Sequence, residues 1–138
     1  ERGAVLRLRK TPEKTVLTYK EKVGSQAAFK HQIEHETIVH DVEATEAIIE
    51  RLGYVLSVVY EKHRKAWHLG NTEVVLDELP FGYYMEIEGS IEDILAVEKL
   101  LGIDHLENES RGYPRLTAKY GKQIGTVMEA RFEKSQTV

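Results

Sequence analysis

The chain has 138 residues, of which 41% are hydrophobic and 30% charged, and this predicts one globular domain spanning residues 1–138. Its net charge of −4 argues against binding nucleic acid as the main function, since sequence-independent binding usually needs a basic surplus. Because the chain has no cysteine and no apolar run of the roughly 18 residues that cross a bilayer, we expect a cytoplasmic protein without disulfides, thiolate chemistry or a membrane partner.

Short alternating segments predict β-strands in the first forty residues. Val5–Arg9 and Val16–Lys22 alternate, and the turn residues Thr11-Pro12-Glu13-Lys14 between them predict a hairpin. Gly24-Ser25 interrupts the pattern, and Phe29–Val39 alternates again. The chain therefore begins with three expected strands.

A helix and a long β-rich run follow. Apolar residues recur at helical spacing in Val42–Leu52, with Asp41 as the expected N-cap and Gly53 as the expected C-cap. Tyr54–Trp67 is rich in residues that favour strands. The sequence thus predicts one helix followed by a long β-rich run here.

The sequence of the second half predicts a second hairpin and two more helices. Ser90 with Asp93 three residues later resembles a capping box, and Gly102 ends the helix that it opens. This helix and the one at Val42–Leu52 can cover the apolar side of a mostly antiparallel sheet. The remaining expected segments are strands Thr72–Leu79 and Tyr83–Glu88 around Pro80-Phe81-Gly82, a short helix Tyr113–Tyr120, and the ambiguous Thr126–Glu133.

Ten charged residues occupy these segments so that each strand carries its charges on one side. Residues two apart on a strand share a face, and the opposite faces are apolar. Such a sheet either presents its charges to water or curls so that they line a cavity. The ten are Arg7, Arg9, Lys20, Glu34, Glu36, Lys62, Arg64, Asp77, Glu86 and Glu88.

The charged face has the chemistry of a site for a metal and a polyanion. Glu86 and Glu88 lie about 7 Å apart on one strand face, and Asp77 lies on the neighbouring strand. Mg²⁺ or Mn²⁺ takes such oxygen ligands and completes its shell with water and substrate phosphates. Basic side chains can hold the phosphate oxygens. Those available are Arg7, Arg9, Lys20, Lys62 and Arg64.

A solvated charged face is the simpler interpretation of any single alternating strand. Five such strands in one short chain weaken it, because an ordinary half-exposed sheet carries more Thr, Ser and Gln on its wet face. Both interpretations stay open on the pattern alone.

The order of these segments resembles the CYTH family, also called triphosphate tunnel metalloenzymes, which includes class IV adenylyl cyclases and thiamine triphosphatases. The resemblance covers about residues 3–120. It implies an α+β fold, in which an eight-stranded antiparallel β-barrel forms a triphosphate tunnel with helices packed outside. The segments are Leu6-Arg7-Leu8-Arg9-Lys10, Leu17-Thr18-Tyr19-Lys20, Glu34-x-Glu36, Tyr60-Glu61-Lys62-His63-Arg64, Leu76-Asp77-Glu78-Leu79 and Met85-Glu86-Ile87-Glu88-Gly89.

The resemblance also implies roles for the ten charges. The five basic residues would bind phosphate, while Glu34, Glu36, Asp77, Glu86 and Glu88 would bind or position Mg²⁺ or Mn²⁺. Family members open with a strand carrying Glu-x-Glu-x-Lys, and no such motif precedes Arg7. We therefore expect a chain truncated at its N-terminus, and the sequence assigns no catalytic residue.

The expected function is metal-dependent chemistry on a triphosphate such as ATP, thiamine triphosphate or tripolyphosphate. One reaction is that of a class IV adenylyl cyclase, from ATP to cyclic AMP and pyrophosphate; the other is hydrolysis of an organic or inorganic triphosphate. The alternative from another class is a non-catalytic nucleotide-binding or polyphosphate-binding module. A homodimer stays open.

Overall fold

The computed structural model describes residues 3–22 and 32–134, which form nine strands and three helices. The break at Gly24-Ser25 and the start of the strand expected at Phe29–Val39 lie outside the described residues. The elements are β1 (Ala4–Lys10), β2 (Thr15–Lys22), β3 (Gln32–Val39), α1 (Val42–Arg51), β4 (Val58–Tyr60), β5 (His63–Leu69), β6 (Thr72–Leu79), β7 (Gly82–Glu88), α2 (Ile91–Leu101), α3 (Tyr113–Tyr120), β8 (Lys122–Ile124) and β9 (Val127–Ala130).

The chain divides into two compact units, Glu1–Val55 and Leu56–Val138. In the first unit, β1, β2 and β3 form an antiparallel sheet in that order. The expected hairpin turn is confirmed, because the Thr11 hydroxyl donates to the Lys14 carbonyl oxygen at 2.9 Å. The expectation of a single domain stays a prediction.

Helix α1 begins and ends close to its predicted bounds. The Asp41 carboxylate accepts a hydrogen bond from the Ala44 backbone N–H at 2.9 Å, as expected for an N-cap. The prediction of Gly53 as C-cap is wrong by one residue: Leu52 is the C-cap, and Gly53 follows with φ of 92°. Glycine is favoured there because an L side chain is strained at positive φ.

The second unit holds two three-stranded sheets. One has the order β5-β6-β7 and is antiparallel; the other has the order β4-β9-β8, in which β4 and β9 run parallel. The central strand β6 is covered on both faces, since the neighbouring residues Val74 and Val75 are 6% and 1% exposed. It is the strand that carries Asp77.

Helices α2 and α3 of the second unit lie where the sequence predicts them. The Ser90 side chain accepts from the Asp93 backbone N–H at 3.2 Å, and Gly102 closes α2 in the left-handed conformation at φ of 67°. Helix α3 packs against β4 and β9 through its buried residues Leu116 and Thr117. This packing fixes the position of Tyr113, at the start of α3.

The fold is mixed α+β, but the eight-stranded barrel is not confirmed. In residues 3–22 and 32–134 the strands form three separate sheets, and none is closed. The β-rich run expected at Tyr54–Trp67 holds β4 and the start of β5, and the chain leaves the strand conformation between them at Glu61 and Lys62. The Glu61 backbone N–H still bonds the Ala130 carbonyl oxygen at 2.9 Å, whereas β5 pairs with β6. This change of partner divides the run between two sheets.

Candidate functional site

A buried carboxylate, Asp77, organises the charged face of the second unit. Its side chain is fully buried. Arg64 donates to both carboxylate oxygens, from Nε to Oδ1 at 2.7 Å and from Nη2 to Oδ2 at 2.6 Å. Oδ2 also accepts from the Tyr113 hydroxyl at 2.7 Å and from Lys62 Nζ at 3.2 Å. Four hydrogen bonds therefore satisfy the carboxylate, which has about four acceptor positions.

The strand register explains why these groups meet. In the antiparallel sheet, Asp77 lies opposite Arg64 of β5 and Tyr84 of β7. Residues opposite one another share a face, and Glu86, two residues beyond Tyr84, shares that face too. Arg64 Nη2 reaches Glu86 Oε2 at 3.2 Å. The prediction that the charges of this sheet share one side is confirmed for these residues.

Each charge in this cluster changes the pKa of its neighbours. Burial alone would raise the pKa of Asp77, but hydrogen bonds from Arg64 and Tyr113 and the nearby Lys62 charge outweigh it and lower the pKa to about 2. The hydrogen bonds to Asp77 raise the pKa of Arg64. Burial and the neighbouring Arg64 charge lower the pKa of Lys62, although Asp77 and Glu86 oppose them. Arg64 and Asp77 thus form a fixed ion pair, and Lys62 is its less firmly held neighbour.

Tyr113 is the member of the cluster that the sequence did not predict. It comes from α3, and its ring makes edge contacts with Tyr60 and Tyr84 at centroid distances of 6.1 and 5.7 Å. Burial and the hydrogen bond to Asp77 raise the pKa of Tyr113, so its hydroxyl stays a donor. No spacing or charge pattern marks this tyrosine among the seven in the chain.

Glu88 lies on the same strand face as Glu86, opposite Glu73 in the register. Within the described part of the chain its side chain makes no hydrogen bond or ion pair. The Glu86 side chain is partly exposed and accepts a hydrogen bond from Arg64 Nη2. Both carboxylates therefore keep free oxygen acceptors.

The first unit has a charged face of its own. Arg7, Thr18 and Glu36 are aligned across β1, β2 and β3. The Thr18 hydroxyl donates to Glu36 Oε1 at 2.9 Å and, with Arg9 and Arg7 nearby, lowers the pKa of Glu36. One step along the sheet, Lys20 Nζ pairs with Glu34 Oε2 at 3.2 Å. The register of β1, β2 and β3 places all five charges predicted for this sheet on one face, namely Arg7, Arg9, Lys20, Glu34 and Glu36.

Arg7 differs from the other basic residues because part of its guanidinium is buried without a partner. Its Nε and Nη2 atoms are shielded from solvent and make no hydrogen bond with the residues that the structure describes. Nη2 lies 3.9 Å from Glu36 Oε1, which is too long for a hydrogen bond. Buried donors without acceptors are costly, so this position favours an anion that supplies oxygen atoms.

The carboxylates fit a metal ion only in part. In residues 3–22 and 32–134, no three acidic or histidine side chains come close enough together to hold a metal. Asp77 does not fit the role of a ligand, because its side chain is fully buried and already accepts four hydrogen bonds from protein donors. Glu86 and Glu88 do fit, since Mg²⁺ is usually held by one or two carboxylates together with water and substrate phosphates. Metal binding by the five acidic residues stays a prediction.

Acid should remove stability through Asp77. Because its folded pKa of about 2 lies below the ordinary value of 3.8, its contribution is present above the ordinary value and is lost as pH falls towards 2. We expect a loss of about 2 kcal/mol from this group. Urea unfolding in EDTA at pH 6 and pH 2.5 measures it, with Asp77→Asn as control. Equal pH dependence in the two proteins would contradict the assignment.

Comparison with known proteins supports the family resemblance that the sequence segments indicated. A family model described as CYTH domain matches residues 1–116. A conserved hypothetical protein from Pyrococcus furiosus is similar in structure, with 25% identity, a TM-score of 0.71, and coverage of 84% of this chain and 76% of that one. The PH1012 protein from Pyrococcus horikoshii OT3 is 27% identical, with a TM-score of 0.70 and coverage of 82% and 74%. No curated protein matches.

In the described residues, none of the helices is both long enough and apolar enough to cross a membrane.

Proposed function

Since the chain belongs to the CYTH family, we propose that it is a metal-dependent enzyme that acts on a triphosphate substrate. The family binds triphosphates and depends on metal ions, typically Mg²⁺ or Mn²⁺. In this proposal the basic residues of the charged faces hold phosphate oxygens, and the carboxylates beside them hold or position the metal.

The unpaired guanidinium of Arg7 is the observation that carries the proposal. A solvated face would leave its arginines hydrated, whereas Nε and Nη2 of Arg7 are buried and make no hydrogen bond with the described residues. If the side chain shifts to meet a ligand, its guanidinium offers two parallel N–H groups, which match two oxygens of one phosphate. Arg9, on the same face, makes no hydrogen bond or ion pair with the described residues. The pair therefore favours an anion with several oxygen atoms.

Arg64 has a different part in this proposal. Its Nε and Nη2 edge is already used on Asp77, so it cannot also span two phosphate oxygens without breaking that pair. Its Nη1 atom makes no hydrogen bond within the described residues and can donate to a single phosphate oxygen. Lys62 adds a point charge beside it.

Glu86 and Glu88 are the residues that would hold the metal in the second unit. A bound Mg²⁺ or Mn²⁺ would neutralise the charge that develops on the phosphate oxygens. Arg64 holds Glu86 in place through Nη2, and Glu88 is left with both oxygens free. The convergence of all ten charges on one surface stays a prediction.

The reaction depends on which atom attacks. Attack by a ribose hydroxyl on the α-phosphorus of ATP would give cyclic AMP and pyrophosphate, while attack by water on the γ-phosphorus would give hydrolysis. Both use the same phosphate and metal contacts.

The test is a screen of the full-length protein against ATP, thiamine triphosphate and tripolyphosphate with Mg²⁺ and with Mn²⁺, scoring cyclic AMP, pyrophosphate and phosphate. We expect metal-dependent turnover of at least one substrate. Arg7→Lys keeps the charge but loses the paired N–H groups, and we expect its KM to rise about tenfold with little change in melting temperature. Absence of turnover with every substrate and metal would overturn the enzymatic proposal.

A second candidate is a non-catalytic module that binds nucleotides or polyphosphate. The engagement of Asp77, one of the five predicted metal ligands, by Arg64, Tyr113 and Lys62 favours it. Tripolyphosphate binding by a protein that turns over none of the three substrates would select this function instead.

A further inference from the structure

The hydroxyl of Tyr113 shares one carboxylate oxygen with two cations. Asp77 Oδ2 accepts from Arg64 Nη2 at 2.6 Å, from Tyr113 at 2.7 Å and from Lys62 at 3.2 Å. Three donors at one oxygen compete, and the Lys62 bond is the longest of them. Lys62 is therefore the partner that Asp77 holds least firmly.

The ring of Tyr113 also faces Lys62. The Lys62 Nζ lies 5.1 Å from the centroid of that ring, within the range of a cation–π contact. Apart from Asp77, no described residue accepts a hydrogen bond from this ammonium. Two of its three N–H groups are thus unused by the protein. They are available to an anion on the charged face.

Tyr113 is rigidly placed for this contact. It begins α3, whose next turn contributes the buried residues Leu116 and Thr117, and its ring packs against Tyr60 and Tyr84. Its hydroxyl therefore reaches Asp77 without depending on any ligand. Without this donor, the Oδ2 charge would be shared between Arg64 and Lys62 alone.

We propose that Tyr113 is a positioning residue of the triphosphate site, which by donating to Asp77 loosens the hold of Asp77 on Lys62 and leaves the ammonium free to bind a phosphate oxygen. The inference rests on the proposed function, since it concerns how the same site takes its substrate. Tyr113 acts through Lys62 and does not touch the phosphate itself. Arg64 stays locked to Asp77 while Lys62 moves to the anion.

The test is a double-mutant cycle between Tyr113 and Lys62. Tyr113→Phe keeps the ring and removes only the donor, so Asp77 holds Lys62 more tightly. We expect tripolyphosphate affinity in EDTA to fall about fivefold, and KM for the substrate to rise by the same factor with kcat within about twofold. In a Lys62→Met background, Tyr113→Phe should change the tripolyphosphate affinity and the KM by less than about twofold.

Tyr60→Phe is the matched control. It removes a hydroxyl from the same aromatic cluster, but that hydroxyl makes no hydrogen bond with the described residues, and we expect wild-type affinity. Melting temperatures of all variants show whether folding is preserved. An equal loss of affinity for Tyr113→Phe in both backgrounds would mean a general structural effect and would overturn the inference.

Failure of the inference and failure of the proposed function give different results. A wild-type protein that binds or turns over triphosphate, with Tyr113→Phe unchanged in affinity and KM, overturns the inference alone. A wild-type protein that neither binds tripolyphosphate nor turns over a triphosphate overturns both.

Discussion

Glu86→Gln and Glu88→Gln should each lower metal-dependent turnover by at least about 100-fold. The substitution keeps the shape of the side chain but removes a negative charge and the preferred ligand of a hard cation, whose stabilisation of the transition state amounts to several kcal/mol. The fold should stay intact, because both side chains lie on the charged face and Glu88 has no partner in the described residues. Turnover against Mg²⁺ or Mn²⁺ concentration measures the loss.

Glu78→Gln is the control for these two variants. Glu78 lies on β6 on the opposite face from Asp77, where it accepts from the Tyr83 hydroxyl at 3.2 Å. Its substitution changes the net charge by the same amount, and we expect turnover within about twofold of wild type. Unchanged turnover and metal affinity in both Glu86→Gln and Glu88→Gln would show that these carboxylates do not bind the metal.

Arg64→Ala should lower the free energy of unfolding by about 3 kcal/mol in the absence of any ligand. It removes two of the four hydrogen bonds of Asp77, which is fully buried, and leaves that negative charge incompletely compensated. Lys62 and Tyr113 still donate to Asp77 in this variant. The expected loss therefore lies at the lower end of the range seen when one partner of a buried ion pair is removed. Urea unfolding in EDTA measures the change.

Arg111→Ala is a closely matched control for Arg64→Ala. Arg111 also pairs with a carboxylate through two hydrogen bonds, to Glu109 at 2.8 Å each, and both arginine side chains are 37% exposed. The two pairs differ at the carboxylate, since the Glu109 side chain is 31% exposed and that of Asp77 is 0%. We expect Arg111→Ala to cost much less than Arg64→Ala, because water screens an ion pair at the surface. If both variants lose the same free energy of unfolding, the burial of Asp77 does not determine how much the Arg64 pair stabilises the fold.

The Arg64 variants also separate two roles for this residue. Arg64→Lys keeps the charge but cannot donate to both Asp77 oxygens in the same way. If Arg64 chiefly holds Asp77, the lysine variant loses stability and keeps most of its triphosphate affinity. Loss of affinity without loss of stability would instead support a direct contact between the guanidinium fork and phosphate.

Alternation along each segment was enough to predict the strands and their charged faces. As the alternation predicts, Arg7 and Glu36 share one face of the first sheet. Arg64, Asp77 and Glu86 likewise share one face of the sheet β5-β6-β7. The reason is local: the backbone of a strand turns successive side chains to opposite sides, whatever partner it pairs with. Helix α2 was predictable for a similar reason, because its caps lie within the sequence that forms it.

Pairing between distant segments was not predictable in the same way. The sequence left Tyr54–Trp67 as one undivided β-rich run, and the family resemblance led to a closed barrel, whereas β4 pairs with β9 and β5 with β6. Nothing in the run itself encodes the break at Glu61, because the competing partner, Ala130, lies about seventy residues further along the chain. Strand order and closure depend on such long-range hydrogen bonds.

By itself the sequence determined the strand faces, the family resemblance, and the presence of cations and carboxylates on one side of the sheets β1-β2-β3 and β5-β6-β7. Only the tertiary structure decided how each charge is used. It placed Tyr113 of α3 at Asp77, engaged Arg64 with the same carboxylate, and left Arg7 with buried nitrogens that make no hydrogen bond among the described residues. The physical reason is that the strength of a charge as a ligand depends on its burial and on its other partners, and both come from residues far away in the chain.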